Sequence, residues 1–184
     1  SEELWKVCRR LPEPAALDLL AKLNSPMVLA LGTMRDPRLQ LVASFDTRSE
    51  LKLHAYWLDN TLARSYFVAG VVRATSRRDA LGKFLDPSFP VGRTVVLEDA
   101  QQSESKGEMA AGTSRILDYQ SSRVLCEVVA RTPGYLVLLD SYYPGWVAHV
   151  DGRPGEILRA NYTFRAVKVP AGKHRVEFRY RPRS

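Results

Sequence analysis

The sequence predicts an α+β, mostly β fold: a small mixed α/β lobe over residues 1–92, then an antiparallel, jelly-roll-like β-sandwich over 93–184. Three observations lead there. Apolar residues at helical spacing occur in only two short stretches, both in the first half. From Thr94 onward about eight short segments read as strands with no helical pattern between them. Turn chemistry separates most of those segments, as in a sandwich rather than a βαβ array.

Element by element, Pro12-Glu-Pro14 opens a helix with Ala16, Leu17, Leu20, Ala21 and Leu23 on its apolar side. Proline is tolerated in a first turn, and Asn24-Ser-Pro26 closes the segment. Met27–Leu31 reads as a short buried strand, and Asp36-Pro37 as a turn. Leu39, Leu41 and Ala43 alternate toward Phe45, as do Leu51, Leu53, Ala55 and Trp57, and Tyr66–Val72 reads as another apolar strand. Ser76–Asp79 opens a second helix with Ala80, Leu81, Phe84 and Leu85 on one face, ended by Asp86-Pro87. The strand patterns that follow are Thr94–Glu98, Ser114–Tyr119, Arg123–Arg131, Tyr135–Asp140, Trp146–Asp151, Gly155–Arg159, Phe164–Val169 and His174–Arg181. Turn signals lie at Thr132-Pro-Gly134, Pro144-Gly145, Asp151–Gly155 and Pro170-Ala-Gly172, and the polar stretch Ala100–Gly112 reads as a loop.

A chain of 184 residues, 45% hydrophobic and 26% charged, has ordinary globular composition, which excludes a disordered or collagen-like polymer. The longest uninterrupted apolar runs, Met27–Leu31 and Tyr135–Leu139, are five residues each, too short for a transmembrane helix. No signal peptide opens at Ser1, and the sequence reads as a segment of something longer. The two cysteines, Cys8 and Cys126, are compatible with one long-range bridge or with two buried thiols. The net charge of +7 is concentrated: residues 151–184 hold nine basic and three acidic residues. A localised basic end points toward phosphate.

No cofactor or metal motif is present. His54, His149 and His174 share no ligand spacing, and neither a phosphate-binding glycine loop nor a nucleophile elbow occurs. No catalytic residue is assigned. Asp140 and Asp151 are compatible with a glycosidase pair and equally with turn aspartates beside Gly and Pro. Asn161-Tyr-Thr163 fits a glycosylation acceptor, a pattern frequent by chance. The most distinctive string runs from Asp140 to Trp146. Its Tyr142, Tyr143 and Trp146, with Asp140 as the polar neighbour, are compatible with a sugar-stacking platform; an inward Trp146 plugging the sandwich end fits as well. Arg175, Arg179 and Arg181 alternate with Val176, Phe178 and Tyr180, so the pleat places them on the open face. There they fit phosphate or membrane contact, or a solvated edge strand charged against aggregation. Nucleic acid is not an expected partner, because no recognised module is visible.

The strings PGYLVLLDSYYPGW (133–146), VDGRP (150–154) and RANYTFRAVKVPAGKHRVEFRY (159–180) resemble the C-terminal signature of the YfhO family of bacterial membrane proteins. The first half resembles the same proteins more loosely, through LDPSF (85–89) and RTVVLE (93–98). That resemblance implies a polytopic parent similar to C-type membrane glycosyltransferases, which use polyprenyl-phosphate sugars outside the cytoplasmic membrane; some members are implicated in teichoic acid glycosylation. It places the family's catalytic acidic residue in an early extracytoplasmic loop that this sequence does not contain. It also places the C-terminal arginines beside the bilayer, just before a last membrane helix. The expectation is therefore an extracytoplasmic accessory domain on the bacterial cytoplasmic membrane. Its partners would be the transmembrane part of the same polypeptide and a cell-wall glycan or polyprenyl-phosphate sugar. The other expectation is a structural or protein-interaction domain that binds no sugar.

Overall fold

The computed structural model describes residues 12–47, 51–98, 105 and 111–182. It divides the chain into two compact units, Ser1–Ala63 and Arg64–Ser184. Among the described residues no helix is long and apolar enough to cross a membrane.

The first unit holds helix α1 (Glu13–Lys22) and strands β1 (Met27–Leu31), β2 (Leu39–Asp46) and β3 (Lys52–Leu58). Pro12 caps α1 in extended conformation, and Glu13 places negative charge in the first turn, where the helix dipole favours it. The helix ends where Asn24 turns left-handed (φ 53°). Ser25 N–H then donates to the Leu20 carbonyl and Asn24 N–H to that of Ala21, a Schellman closure before Pro26. Asp36 forms the expected turn by accepting the Arg38 N–H at 2.9 Å. Its carboxyl is drawn down to about 2 by hydrogen bonds from the Arg38 side chain and backbone. The strands form an antiparallel sheet in the order β1-β3-β2, with an irregularity between Leu41 and Ala43. Register places Met27, Leu29, Leu31, Leu53, Trp57 and Phe45 on one face, and all of these except Leu53 are exposed. The expected buried strand over Met27–Leu31 therefore presents Met27, Leu29 and Leu31 outward.

The second unit is the mostly antiparallel sandwich. It contains β4 (Ser65–Val68), β5 (Gly70–Arg73), α2 (Arg77–Leu85), β6 (Thr94–Leu97), β7 (Gly112–Gln120), β8 (Arg123–Ala130), β9 (Gly134–Ser141), β10 (Trp146–Val150), β11 (Arg153–Gly155), β12 (Ile157–Ala160), β13 (Phe164–Val169) and β14 (Gly172–Tyr180). A five-stranded sheet runs β11-β10-β14-β8-β7 and a six-stranded one β4-β9-β13-β12-β6-β5. The side chains between them follow the pleat: Val124, Cys126, Val128 and Ala130 of β8 with Val176 and Phe178 of β14 meet Phe67, Leu136, Leu138 and Val167. Gly112 and Gly134 close one side of this core. A Cβ on either would lie within 2.7 Å of the Phe67 ring and within 2.5 Å of a backbone carbonyl.

The division at Ala63/Arg64 differs from the expected boundary near 92. β4 and β6 take partners from far along the chain, β9 and β12, and β5 joins the sheet through β6, a pairing that local alternation does not reveal. The expected strand Tyr66–Val72 breaks at Ala69 into β4 and β5, which stand at opposite ends of the six-stranded order. One intervening residue cannot span an open sheet, so this sheet curls until its two ends meet. β5 and β6 pair in parallel, joined through α2, whose cap is Ser76 accepting the Asp79 N–H at 3.1 Å. Phe84 of α2 packs edge-on to Phe164 and Phe89. The expected strand Gly155–Arg159 also divides: β11 joins one sheet and β12 the other, with Glu156 at the corner.

Asn161 lies at the β12–β13 turn in left-handed conformation with Tyr162. It is fully buried; its Oδ1 accepts the Val96 N–H at 2.9 Å and its Nδ2 donates to the Tyr66 hydroxyl at 2.8 Å. The side chain thus serves as a rung between β12 and β6, and burial removes it as a glycosylation acceptor. Cys126 is buried in the core, where desolvation pushes its thiol up to about 12; Cys8 and most of the loop expected at Ala100–Gly112 lie outside the described residues.

Candidate functional site

The segment between β9 and β10 is shaped by Gly145, whose φ of +95° is left-handed and whose Cβ position would approach Tyr180 Cε2 to 2.9 Å. Arg181 N–H donates to the Gly145 carbonyl at 2.6 Å, and Tyr142 N–H to that of Thr163 at 2.6 Å. These bonds tie the turn to the end of β14 on one side and to the β12–β13 turn on the other. The result is a half-open cleft of about 420 Å³ lined by Tyr142–His149, Pro154, Gly155, Ile157 and Arg181.

Three of the expected stacking residues, Tyr142, Tyr143 and Trp146, therefore share one cleft, and Arg181 joins them. Tyr143 is 62% exposed and lies tilted 6.4 Å from Tyr180. Trp146 faces Tyr180 in the β10–β14 register, with ring centroids 5.6 Å apart, and packs its body against the sandwich core. It lines the cleft and closes the sandwich end at once. The Arg159 guanidinium lies 4.5 Å over the Tyr142 ring and that of Arg165 4.0 Å over Trp146.

Asp140 is not among the cleft residues. Its side chain is nearly buried and accepts Arg64 Nη2 at 2.8 Å, Arg165 Nη2 at 2.9 Å and the Tyr119 hydroxyl at 3.2 Å. It is the hub of an ion network beneath Trp146. Asp151 lies elsewhere, accepting the Arg175 N–H at 2.8 Å and contacting His174 Nδ1 at 2.7 Å. Those two groups hold its carboxyl below the usual range, and Asp151 with the Ala171 carbonyl lifts His174 above its own. A glycosidase acid needs a raised carboxyl, so Asp151 lacks that character.

Arg175 and Arg179 stand outside the cleft, on the open face of β14. Arg179 pairs with Glu177 at 2.8 Å, and Glu177 also takes Arg123 at 2.6 Å. Across the sheet Glu127 takes Lys173 at 3.0 Å and Arg115 at 3.1 Å. Lys173 and Arg179 of the strand are thus each held by a carboxylate that a cation of the neighbouring strands shares, while the Arg175 side chain has no ion pair among the described residues.

Arg159, Arg165, Tyr180 and His149 were not expected at the site. Arg165 gives the clearest signal in retrospect, as a charge in the otherwise apolar start of the strand FRAVKV, where it is 2% exposed. His149 follows the alternation of β10, but no sequence pattern shows that this face lines a cleft. Among the described residues no group of His, Cys, Asp and Glu is arranged to hold a metal ion.

Residues 100–184 match the model of a family described as "Bacterial membrane protein YfhO". The match covers just under half of the chain, and the looser resemblance of the first half lies outside it. No curated protein and no solved structure matches the chain significantly.

Proposed function

We propose that this chain is an extracytoplasmic accessory domain of a YfhO-like membrane glycosyltransferase. In this reading the sandwich holds a cell-envelope glycan, or the sugar of a polyprenyl-phosphate donor, for chemistry done by the transmembrane part of the same polypeptide. The observation that carries it is the cleft, where two tyrosines, a tryptophan and an arginine converge beside a Pro-Gly turn. Aromatic rings offer apolar faces to the C–H side of a sugar, and their polar edges with His149 and Arg181 offer partners for hydroxyls. Arg175 and Arg179, outside the cleft, fit a bilayer-facing edge instead.

The test is a titration of the chain against cell-wall glycans, teichoic acid fragments and polyprenyl-phosphate vesicles, at low and near-physiological salt. Saturable binding that follows sugar identity and survives salt is the expected result. Tyr143→Ala, at an exposed position, weakens it about five- to tenfold without changing the melting temperature. Sugar-independent binding to anionic vesicles that salt abolishes contradicts the glycan reading.

A second reading rests on the first unit, whose sheet exposes Met27, Leu29, Leu31, Phe45 and Trp57 on one face. A contiguous apolar face of this kind marks a contact surface. A structural or protein-interaction domain that binds no sugar accounts for it, and self-association removed by Leu29→Lys together with a silent glycan panel would favour that reading.

A further inference from the structure

The cleft has an electrostatic character that sugar stacking alone does not require. None of its lining residues is a carboxylate. Arg181 lines it, and the Arg181 guanidinium has no carboxylate partner among the described residues. Two further guanidinium groups lie against its walls, Arg159 over Tyr142 and Arg165 over Trp146. Because Arg165 is buried, the face of Trp146 that it covers is the inner one.

The nearby counter-charges do not cancel these cations. Asp140 is a single carboxylate shared between Arg64 and Arg165. Nε and Nη1 of Arg165 are buried with no hydrogen-bond partner, so part of this cation is uncompensated. Glu98 approaches Arg159 only to 3.8 Å, and burial raises its carboxyl, which weakens it as a counter-ion. A low-dielectric wall backed by cations and free of carboxylates focuses positive potential into the cleft. A guanidinium on the inner face of an aromatic ring also draws down the electron density that a neutral sugar's C–H groups would use on the outer face.

We propose that the cleft selects an anionic glycan, a sugar whose carboxylate or phosphate ester lies between Arg181 and the Trp146 ring. This rests on the glycan reading above and adds the charge of the ligand. Arg181 contacts the oxyanion, with a planar fork that suits two oxygens at once. Arg159 and Arg165 act through the rings they cover and are positioning residues.

The experiment is calorimetric titration of the full 184-residue chain with glucose, glucose 1-phosphate, glucuronate and inorganic phosphate, at low and near-physiological salt. The expected result is that at least one charged sugar binds about tenfold or more tightly than glucose, and the tighter of the two identifies the oxyanion. Arg181→Gln removes most of that preference, whereas Lys168→Gln, the same loss of charge at an exposed position outside the cleft, leaves it in place. Glucose binding as tightly as both charged sugars overturns the charge selection and leaves the glycan reading standing. Inorganic phosphate binding as tightly as glucose 1-phosphate shows that the sugar ring contributes nothing and overturns both, as does no binding by any of the four. A preference that survives Arg181→Gln overturns the assignment of the contact.

Discussion

The open face of β14 and the cleft beyond its end are both rich in arginine, and they differ in what stands opposite the charge. On the open face Glu177 lies between Arg123 and Arg179, and Glu127 between Arg115 and Lys173. In the cleft Arg181 shares the lining with Tyr142, Tyr143 and Trp146 and with no carboxylate among the described residues, and the guanidinium groups over Tyr142 and Trp146 are only partly compensated. Charge counted along the strand treats the two alike. A cation bound to its own neighbours does little for a ligand, whereas an exposed one lining an open cleft with no carboxylate among the lining residues keeps its hydrogen-bonding capacity.

The largest expected break of this contrast comes from Arg165→Met. It removes a buried guanidinium that stacks on Trp146 and pairs with Asp140, while Arg64 retains that carboxylate. Thermal unfolding should show a loss of about 3 kcal/mol. Gly145→Ala comes next: a Cβ at a φ of +95°, pressed against Tyr180, distorts the cleft turn and costs about 1–3 kcal/mol. It should also abolish glycan binding, read in the same titration. On the open face, Glu177→Gln should cost no more than about 1 kcal/mol, because the pairs it breaks are partly solvated. That variant sharpens the contrast, since it frees Arg179, leaves Arg123 to Asp118, and should raise salt-sensitive binding to anionic vesicles without changing glycan affinity.

The smallest effect is the pH dependence of the His174–Asp151 pair. Asp151 and Ala171 lift His174, so its contribution is fully present below the unfolded value of about 6.5 and is lost as pH rises through the higher folded value. Asp151 is lowered by the Arg175 N–H and by His174, so its contribution is present above about pH 3.9 and is lost as pH falls through the lower folded value. Stability from the pair is therefore greatest between about pH 4 and 6.5, and His174→Gln should flatten melting curves across that window by less than about 1 kcal/mol.

Much of the fold is legible because it is local. The α1 closure follows from Asn24-Ser-Pro26, the Asp36 turn from its own side chain, and the core and solvent faces of β14 from strict alternation. Non-local pairing is what escapes. Nothing in Tyr66–Val72 announces that its halves close the two ends of one sheet, and nothing around Glu156 announces a change of sheet. The site divides the same way. The string from Tyr142 to Trp146 is visible as turn chemistry with aromatics, and the structure brings those residues together with Arg181. Arg159 and Arg165 arrive from β12 and β13 through sheet register, and β13, buried on both faces over most of its length, carries no alternation to mark Arg165. Asp140 lies close in sequence to the aromatic string, but its carboxylate turns to Arg64 and Arg165 beneath it.

The most direct test of the central claim is chemical-shift mapping on isotope-labelled protein during titration with a cell-wall glycan fragment at near-physiological salt. The expected result is saturable shifts of the Trp146 indole and of the Tyr142, Tyr143, Gly145 and Arg181 amides, with Lys173–Arg179 unmoved. Shifts that follow Lys173–Arg179 and vanish as salt rises, or a spectrum in which nothing moves, would contradict it.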